Sequence, residues 1–210
     1  MTSKAFDNDR PPRFASRGRT FVYVFQCVGE DILKVGFSSA PLSRLRALHS
    51  RYFEFFDLDR SFLMEADYLR DARRIERLFI NTLVDHQAPS PLVVKREAAG
   101  HTEWHRSAYS QALAMGKDIC TKEALVMHGP LRAWLLSRFN ERMDLLYQWS
   151  SSLLNAIEFA QQNGAPEVAN HYGNVLRDVI DEHMILGAEL KDRVPKNVMT
   201  WYRIYKCKLA

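Results

Sequence analysis

Cysteine is scarce in this chain of 210 residues: Cys27, Cys120 and Cys207 are odd in number and far apart. They form no Cys-x-x-Cys pair that could seed a zinc site, and no disulfide framework, so reduced thiols in a cytosolic protein are expected. No apolar run approaches the roughly 20 residues needed to cross a bilayer. The N-terminus carries no apolar stretch behind its charges, so neither a membrane span nor a secretory leader is expected. His-Glu-x-x-His, the P-loop and the glycine-rich dinucleotide fingerprint are all missing, which leaves the chemistries they serve without a foothold. Internal repeats and low-complexity tracts are missing too.

What is present suits a globular protein. Hydrophobic residues make up 47% and charged residues 26% of the chain, enough for one or two domains with real cores. The net charge of +4 is unevenly spread. Residues 1–20 hold five basic side chains against two acids, and residues 191–210 hold six against one, whereas residues 123–190 hold four arginines against nine acids. Basic ends suit a polyanion such as nucleic acid, or serve as solubilising tails. Arg13, Arg17 and Arg19 in the first stretch and Lys206 and Lys208 in the last are candidates for phosphate contact, with Arg46 between.

Residues 1–19, rich in proline and arginine, read as a disordered basic arm. TFVYVF and ILKVGF read as two strands of an antiparallel hairpin, and FFDLDRSFLME as a third. SSAPLSRLRALHSRY opens a helix, and ADYLRDARRIERLFINTLVDH is a strongly periodic second one. A short strand is expected at LVVK, and REAAGHTEWHRS reads as a loop or a strand edge. From Tyr109 the pattern is helical almost throughout, with one long helix from Gly129 to Gln162 and another from Glu167 that Pro195 ends. The expected architecture is α+β: a small antiparallel sheet of about three strands flanked by helices over residues 20–115, followed by an all-α domain over 116–210. The apolar stripe Leu131, Leu135, Phe139, Met143, Leu146 and Trp149 must be covered by neighbouring helices or by another chain, so residues 116–210 could hold a homo-oligomer or protein partner. The closing VMTWYRIYKCKLA interleaves rings with cations, which fits either nucleic-acid strands or packing on the bundle.

Four side chains stand out. With a turn centred on Val28 and Gly29, Tyr23 would face Lys34, on a face that also carries Phe21, Phe25, Ile32 and Gly36. The ammonium would lower the tyrosine's pKa; a satisfied Tyr and a snorkelling Lys are the plainer alternative. Arg44 has only apolar helix neighbours (Ala40, Pro41, Ala47, Leu48), so it points towards packing and needs an anion or a carbonyl. Glu76 neighbours Ala72, Arg73, Phe79 and Ile80; a carboxylate there wants a cation, either Arg73 or a metal.

The ordered set of VYV (Val22 to Val24), KVG (Lys34 to Gly36), Arg44, a helix with IER around Glu76, and the Glu103–Trp104 pair resembles the GIY-YIG nuclease superfamily. It is most similar to the branch described as DNA-binding domains in phage and mobile-element proteins. Lys34 stands where the family's second tyrosine would be, His105 follows the tryptophan, Leu48 with adjacent His49 replaces a helix histidine, and a late asparagine has no counterpart. The resemblance implies hydrolysis of DNA phosphodiesters with one Mg2+ or Mn2+ on Glu76, Arg44 on the phosphate, and Tyr23 accepting a proton from water or positioning it. Lys34 would make the phenol more acidic, and Gly36 would let the backbone pass close. His49 and Trp104 would support the site, with core packing the favoured reading for Trp104. A DNA-binding module without catalysis, and an interaction protein acting through its helical half, are the alternatives.

Overall fold

The computed structural model describes residues 19–100 and 102–209. The elements in chain order are β1 (Thr20–Cys27), β2 (Ile32–Ser38), α1 (Pro41–Leu48), α2 (Tyr52–Phe55), β3 (Phe56–Ala66), α3 (Leu69–Thr82), a 3-10 turn (Val84–His86), α4 (Arg96–Ala99), β4 (Trp104–Arg106), α5 (Tyr109–Glu123), β5 (Val126–His128), α6 (Leu131–Asn140), α7 (Met143–Gln162), α8 (Pro166–Leu186) and α9 (Lys196–Leu209). The chain divides into two compact units, Met1–Leu131 and Arg132–Ala210.

The first unit is built on an antiparallel sheet in the order β4-β2-β1-β3-β5. It therefore has five strands rather than about three. The two additional ones, Trp104–Arg106 and Val126–His128, are three residues each, too short to print an alternating pattern. The strand expected at LVVK does not form; that stretch is a turn running into α4.

On one face of the sheet Val22, Val24, Leu33 and Val35 pack with Ala72, Ile75 and Phe79 of α3 and Ala112 and Ile119 of α5 in one core. Pro41 at the first turn of α1 is pre-set for a helix, and Leu42, Leu45 and Leu48 bury its inner side. β3 is not continuous in register with β1. Val24 pairs with Phe62 and Gln26 with Asp57, so Leu58 to Ser61 stand against Phe25 alone. This excursion closes on itself: Asp57 Oδ1 accepts from the Asp59 and Arg60 amides, each at 3.1 Å, and Ser61 Oγ accepts from Gln26 N at 3.0 Å.

The second unit is helical. Met143, Leu146, Leu154 and Ile157 of α7, Leu176 and Ile180 of α8, and Val198 and Tyr202 of α9 share a core with Trp149 packed against it, so the Met143–Trp149 end of the apolar stripe is covered by the unit's own helices. The long helix expected from Gly129 is two, interrupted at Glu141–Arg142, and the next one ends at Gly187 rather than at Pro195. Gly187 takes φ 84, the left-handed cap that terminates helices.

The observed division falls at residue 131, beyond the expected 115. Gly116, Ile119 and Cys120 of α5 line the sheet's core, and β5 pairs with β3. A fragment of residues 19–131 is therefore expected to melt in one cooperative transition. Ending it at 115 strips away Ile119, worth about 2 kcal/mol of burial, together with a strand, and should lower the melting temperature by several degrees. Equal melting curves for the two fragments would show that the shorter boundary is the right one.

Candidate functional site

The hairpin of β1 and β2 sets the floor of the site. Its loop is Val28–Asp31, and Gly29 supplies the positive φ of 71. The Gln26 side-chain amide donates to the carbonyls of Glu30 at 3.0 Å and Ile32 at 3.1 Å. These bonds centre the turn one residue later than expected, so Tyr23 pairs with Gly36, and Lys34 with Phe25. The shift of two keeps the alternation, so Tyr23 and Lys34 still share a face, diagonally rather than directly opposite.

Pairing with glycine is what lets the tyrosine lie flat. A Cβ on Gly36 would sit 2.3 Å from the Tyr23 hydroxyl and 2.5 Å from Cζ. Gly36 makes room for a ring, where closer passage of the backbone was expected. The ring stacks on Phe25 at 4.2 Å between centroids and is almost wholly buried.

Arg44 reaches this ring from α1. Its Nε donates to the Tyr23 hydroxyl at 3.0 Å, and Nη2 donates to the Ala98 carbonyl at 3.0 Å. The fork carries five N–H donors, so two bonds aim the guanidinium and leave it capacity for an anion. Burial pushes the Tyr23 pKa up to about 12, against a downward pull from Arg44. The expected acidification by Lys34 is not found: the nearby cation that acts on the phenol is Arg44.

Lys34 has a different partner. It is fully buried, its Nζ lies 2.5 Å from Glu103 Oε2, and the same Nζ sits 4.9 Å from the centre of the Trp104 ring. Burial lowers its pKa and the Glu103 carboxylate holds it up. Trp104, also fully buried, is thus both core and a lid on the ammonium. Gly100, at φ 68, leaves room for Glu103, because a Cβ there would come within 2.7 Å of the carboxylate. Glu103 is the residue that reading the sequence for chemistry passes over; the Glu-Trp pair is its only local signal.

Glu76, half-buried on α3, completes the group. Burial raises its pKa to about 6, Glu103 adds to the rise, and Lys34, Arg77 and Arg44 oppose it. Arg73 is not its partner; that guanidinium lies over the Phe37 ring at 5.9 Å. Among the described residues no three His, Cys, Asp or Glu side chains cluster as a metal cage. A half-buried carboxylate under-neutralised beside a second one does fit a hard divalent ion that keeps water and phosphate oxygens in its shell, which is how Mg2+ is commonly held.

The ladder with β4 stops at Lys34, so the group gathers where that edge of the sheet gives out, with contributions from β1, β2, α1, α3 and the segment before β4. Residues 20–120 match the T5orf172 domain. That is a phage-associated domain related to nuclease folds, and the match points to a phage-type nuclease or DNA-binding domain. It contains every residue of the group just described. No curated protein and no solved structure matches the chain.

The remaining expected site residues fall elsewhere. His49 stacks on Phe55 at 4.8 Å and its Nδ1 accepts the Arg51 amide at 3.2 Å, which makes it part of the turn after α1. Arg46 is half-buried at the end of α1. Arg19 pairs with Glu65. Arg13 and Arg17 lie outside the described residues, as does the Lys208 side chain. Lys206 is engaged within the helical unit, 3.4 Å from Asp181 and 3.1 Å from the Tyr202 hydroxyl, which itself donates to Asp181. The closing aromatic stretch is thus a packed helix, with Trp201 stacked on Tyr205 at 4.7 Å. No helix among the described residues is long and apolar enough to cross a membrane.

Proposed function

We propose that the chain is a metal-dependent DNA endonuclease that hydrolyses phosphodiester bonds at the Tyr23–Arg44–Glu76 group. The observation that carries this reading is the Arg44–Tyr23 hydrogen bond at 3.0 Å beside a carboxylate whose pKa is raised to about 6. Three residues from separate elements are brought together, and burial holds two of them, Tyr23 and Glu76, away from their ordinary pKa, a pattern that clusters at functional sites.

Each side chain then has a defined part. Arg44 presents its remaining donors to a non-bridging phosphate oxygen and offsets charge that grows in the transition state. Tyr23 receives a bond from Arg44, so its own hydrogen is directed to a water or phosphate oxygen. With its pKa near 12, the phenol orients the nucleophile and keeps its proton. Lys34 holds Glu103, and the pair sets the charge felt by Glu76. Glu76 would hold Mg2+ or Mn2+, which when bound supplies Lewis-acid stabilisation of the phosphate and leaving oxygens.

The test is nicking of supercoiled plasmid with Mg2+ or Mn2+. Glu76→Ala and Arg44→Ala are each expected to lower the rate by about 10³-fold, while circular dichroism shows both variants folded. Glu76→Ala removes a desolvated carboxylate and should melt no lower than wild type above neutral pH. A variant that nicks at the wild-type rate removes its residue from the mechanism. A wild type that binds duplex DNA but never nicks it makes the domain a DNA-binding module instead; that alternative draws on Lys34 in place of a second tyrosine.

A further inference from the structure

The outer side of α3 carries a feature that the proposed chemistry does not use. Arg70, Arg73, Arg74 and Arg77 are all exposed and stand at spacings of three, four and seven residues, so they form one ridge. With Leu78 and Asn81 they line a single shallow depression. The opposite side of the helix, Ala72, Ile75 and Phe79, is buried in the sheet's core. By helical position Glu76 lies on the flank between the two. The ridge is therefore continuous with the proposed site.

Like charges at these spacings repel one another, and a helix gains nothing structural from four of them on its solvent side. Acids neutralise only part of the ridge. Arg74 is paired with Glu123, and Arg70 lies 4.0 Å from Asp71. Aromatic rings hold two guanidiniums in place. Arg70 lies over Tyr68 at 4.9 Å and Arg73 over Phe37 at 5.9 Å. Stacking of this kind leaves the N–H edges of a guanidinium outward. From Arg70 to Arg77 the helix rises about 10 Å, which matches roughly three successive nucleotides of a duplex strand at about 3.4 Å each.

We infer that the arginine ridge of α3 binds the phosphate backbone of duplex DNA and lays the strand along the helix, so that a phosphodiester comes to lie at the Glu76 flank. This rests on the reading of the protein as acting on DNA. The chemical basis is charge and hydrogen bonding to phosphates, so the contact is independent of base sequence.

The experiment is duplex binding by the full-length chain with a labelled random-sequence oligonucleotide in EDTA, repeated over a series of salt concentrations. R70Q/R73Q/R77Q, which spares the Arg74–Glu123 pair, is expected to flatten the log–log salt slope by about 2.7, at about 0.9 for each phosphate that is no longer neutralised. R70K/R73K/R77K should keep the slope, because charge is retained. An unchanged slope in the glutamine variant overturns the ridge as a phosphate-binding surface, as does an equal flattening in the lysine variant. A wild type with no salt-dependent binding overturns the ridge together with the DNA reading. Failure of the nuclease chemistry alone shows up as absent nicking with these slopes intact, so the two ideas fail separately.

Discussion

Gly36→Ala is expected to destabilise the first unit by about 3 kcal/mol and to cost about 100-fold in nicking rate. One methyl group is a small change, but the space for it is already taken. The new Cβ would meet the Tyr23 hydroxyl at 2.3 Å and its ring carbons at 2.5 and 2.9 Å. The ring cannot swing aside, because it is buried and stacked at 4.2 Å on Phe25, which in turn packs against Phe56 at 5.4 Å. Either the strands part or the ring tilts, and a tilt of the ring carries the hydroxyl away from Arg44. Urea melts would read the first cost, and plasmid nicking the second. Gly36 lies in extended backbone, so alanine would otherwise be neutral or slightly stabilising in a strand. A variant with the wild-type urea midpoint and wild-type nicking would show that Tyr23 does not need its present place.

Lys34→Met should move the pH dependence of cleavage upwards and weaken the fold. Glu76 must be ionised to hold a cation, so wild-type activity is expected to rise through about pH 6, where its raised pKa lies. Lys34 is one of the cations that restrain that pKa, and Glu103 is the acid that pushes it higher. Methionine removes the restraint and at the same time leaves Glu103 without its 2.5 Å partner. Losing that restraint pushes Glu76 further up, and the rise in activity follows it. Stability runs in the opposite direction. The folded-state pKa of Glu76 lies above the ordinary 4.5, so its contribution is fully present below 4.5 and is lost as pH climbs through about 6. Breaking the Lys34–Glu103 pair costs about 3 kcal/mol in addition, because a partly buried carboxylate is left alone. Rate profiles from about pH 5 to pH 9 for both proteins would resolve the shift. A rise that begins at the same pH in Lys34→Met as in wild type sinks the proposed coupling.

Sequence alone carries the three long strands and α3, because alternation in β1 and β2 and a 3.6-residue period in α3 are strong signals there. It also carries the convergence of Tyr23, Arg44 and Glu76, through an ordered set of motifs. The exact register needed Gln26, a buried polar side chain whose bonds to Glu30 and Ile32 no local pattern reveals. β5 is too short to signal itself, and β4 shows only as a strand edge within a loop. The interruption at Glu141–Arg142 is hidden because the apolar stripe of Leu135, Phe139, Met143 and Leu146 keeps its phase through it. The Lys34–Glu103 pair joins residues 69 positions apart, so neither partner announces the other. Four arginines of α3 are visible in the sequence, but only the burial of Ala72, Ile75 and Phe79 shows that they share the outer side.

The excursion of β3 opposite Phe25 makes the sheet tolerant of added length at one place. Asp57 and Ser61 bond across its base, so the ladder on either side needs no strand pairing from Asp59 and Arg60, both exposed; their amides turn onto Asp57, and the Arg60 guanidinium lies over the Tyr109 ring at 4.3 Å. Residues inserted between those two would enlarge a closed knuckle and would not push β3 out of step with β1, since a slip there would have to break the pairs from Val24–Phe62 onwards. The strand that lies beside Tyr23 thus carries its own expansion joint, where a label or a short peptide could be spliced in while the floor of the site stays still.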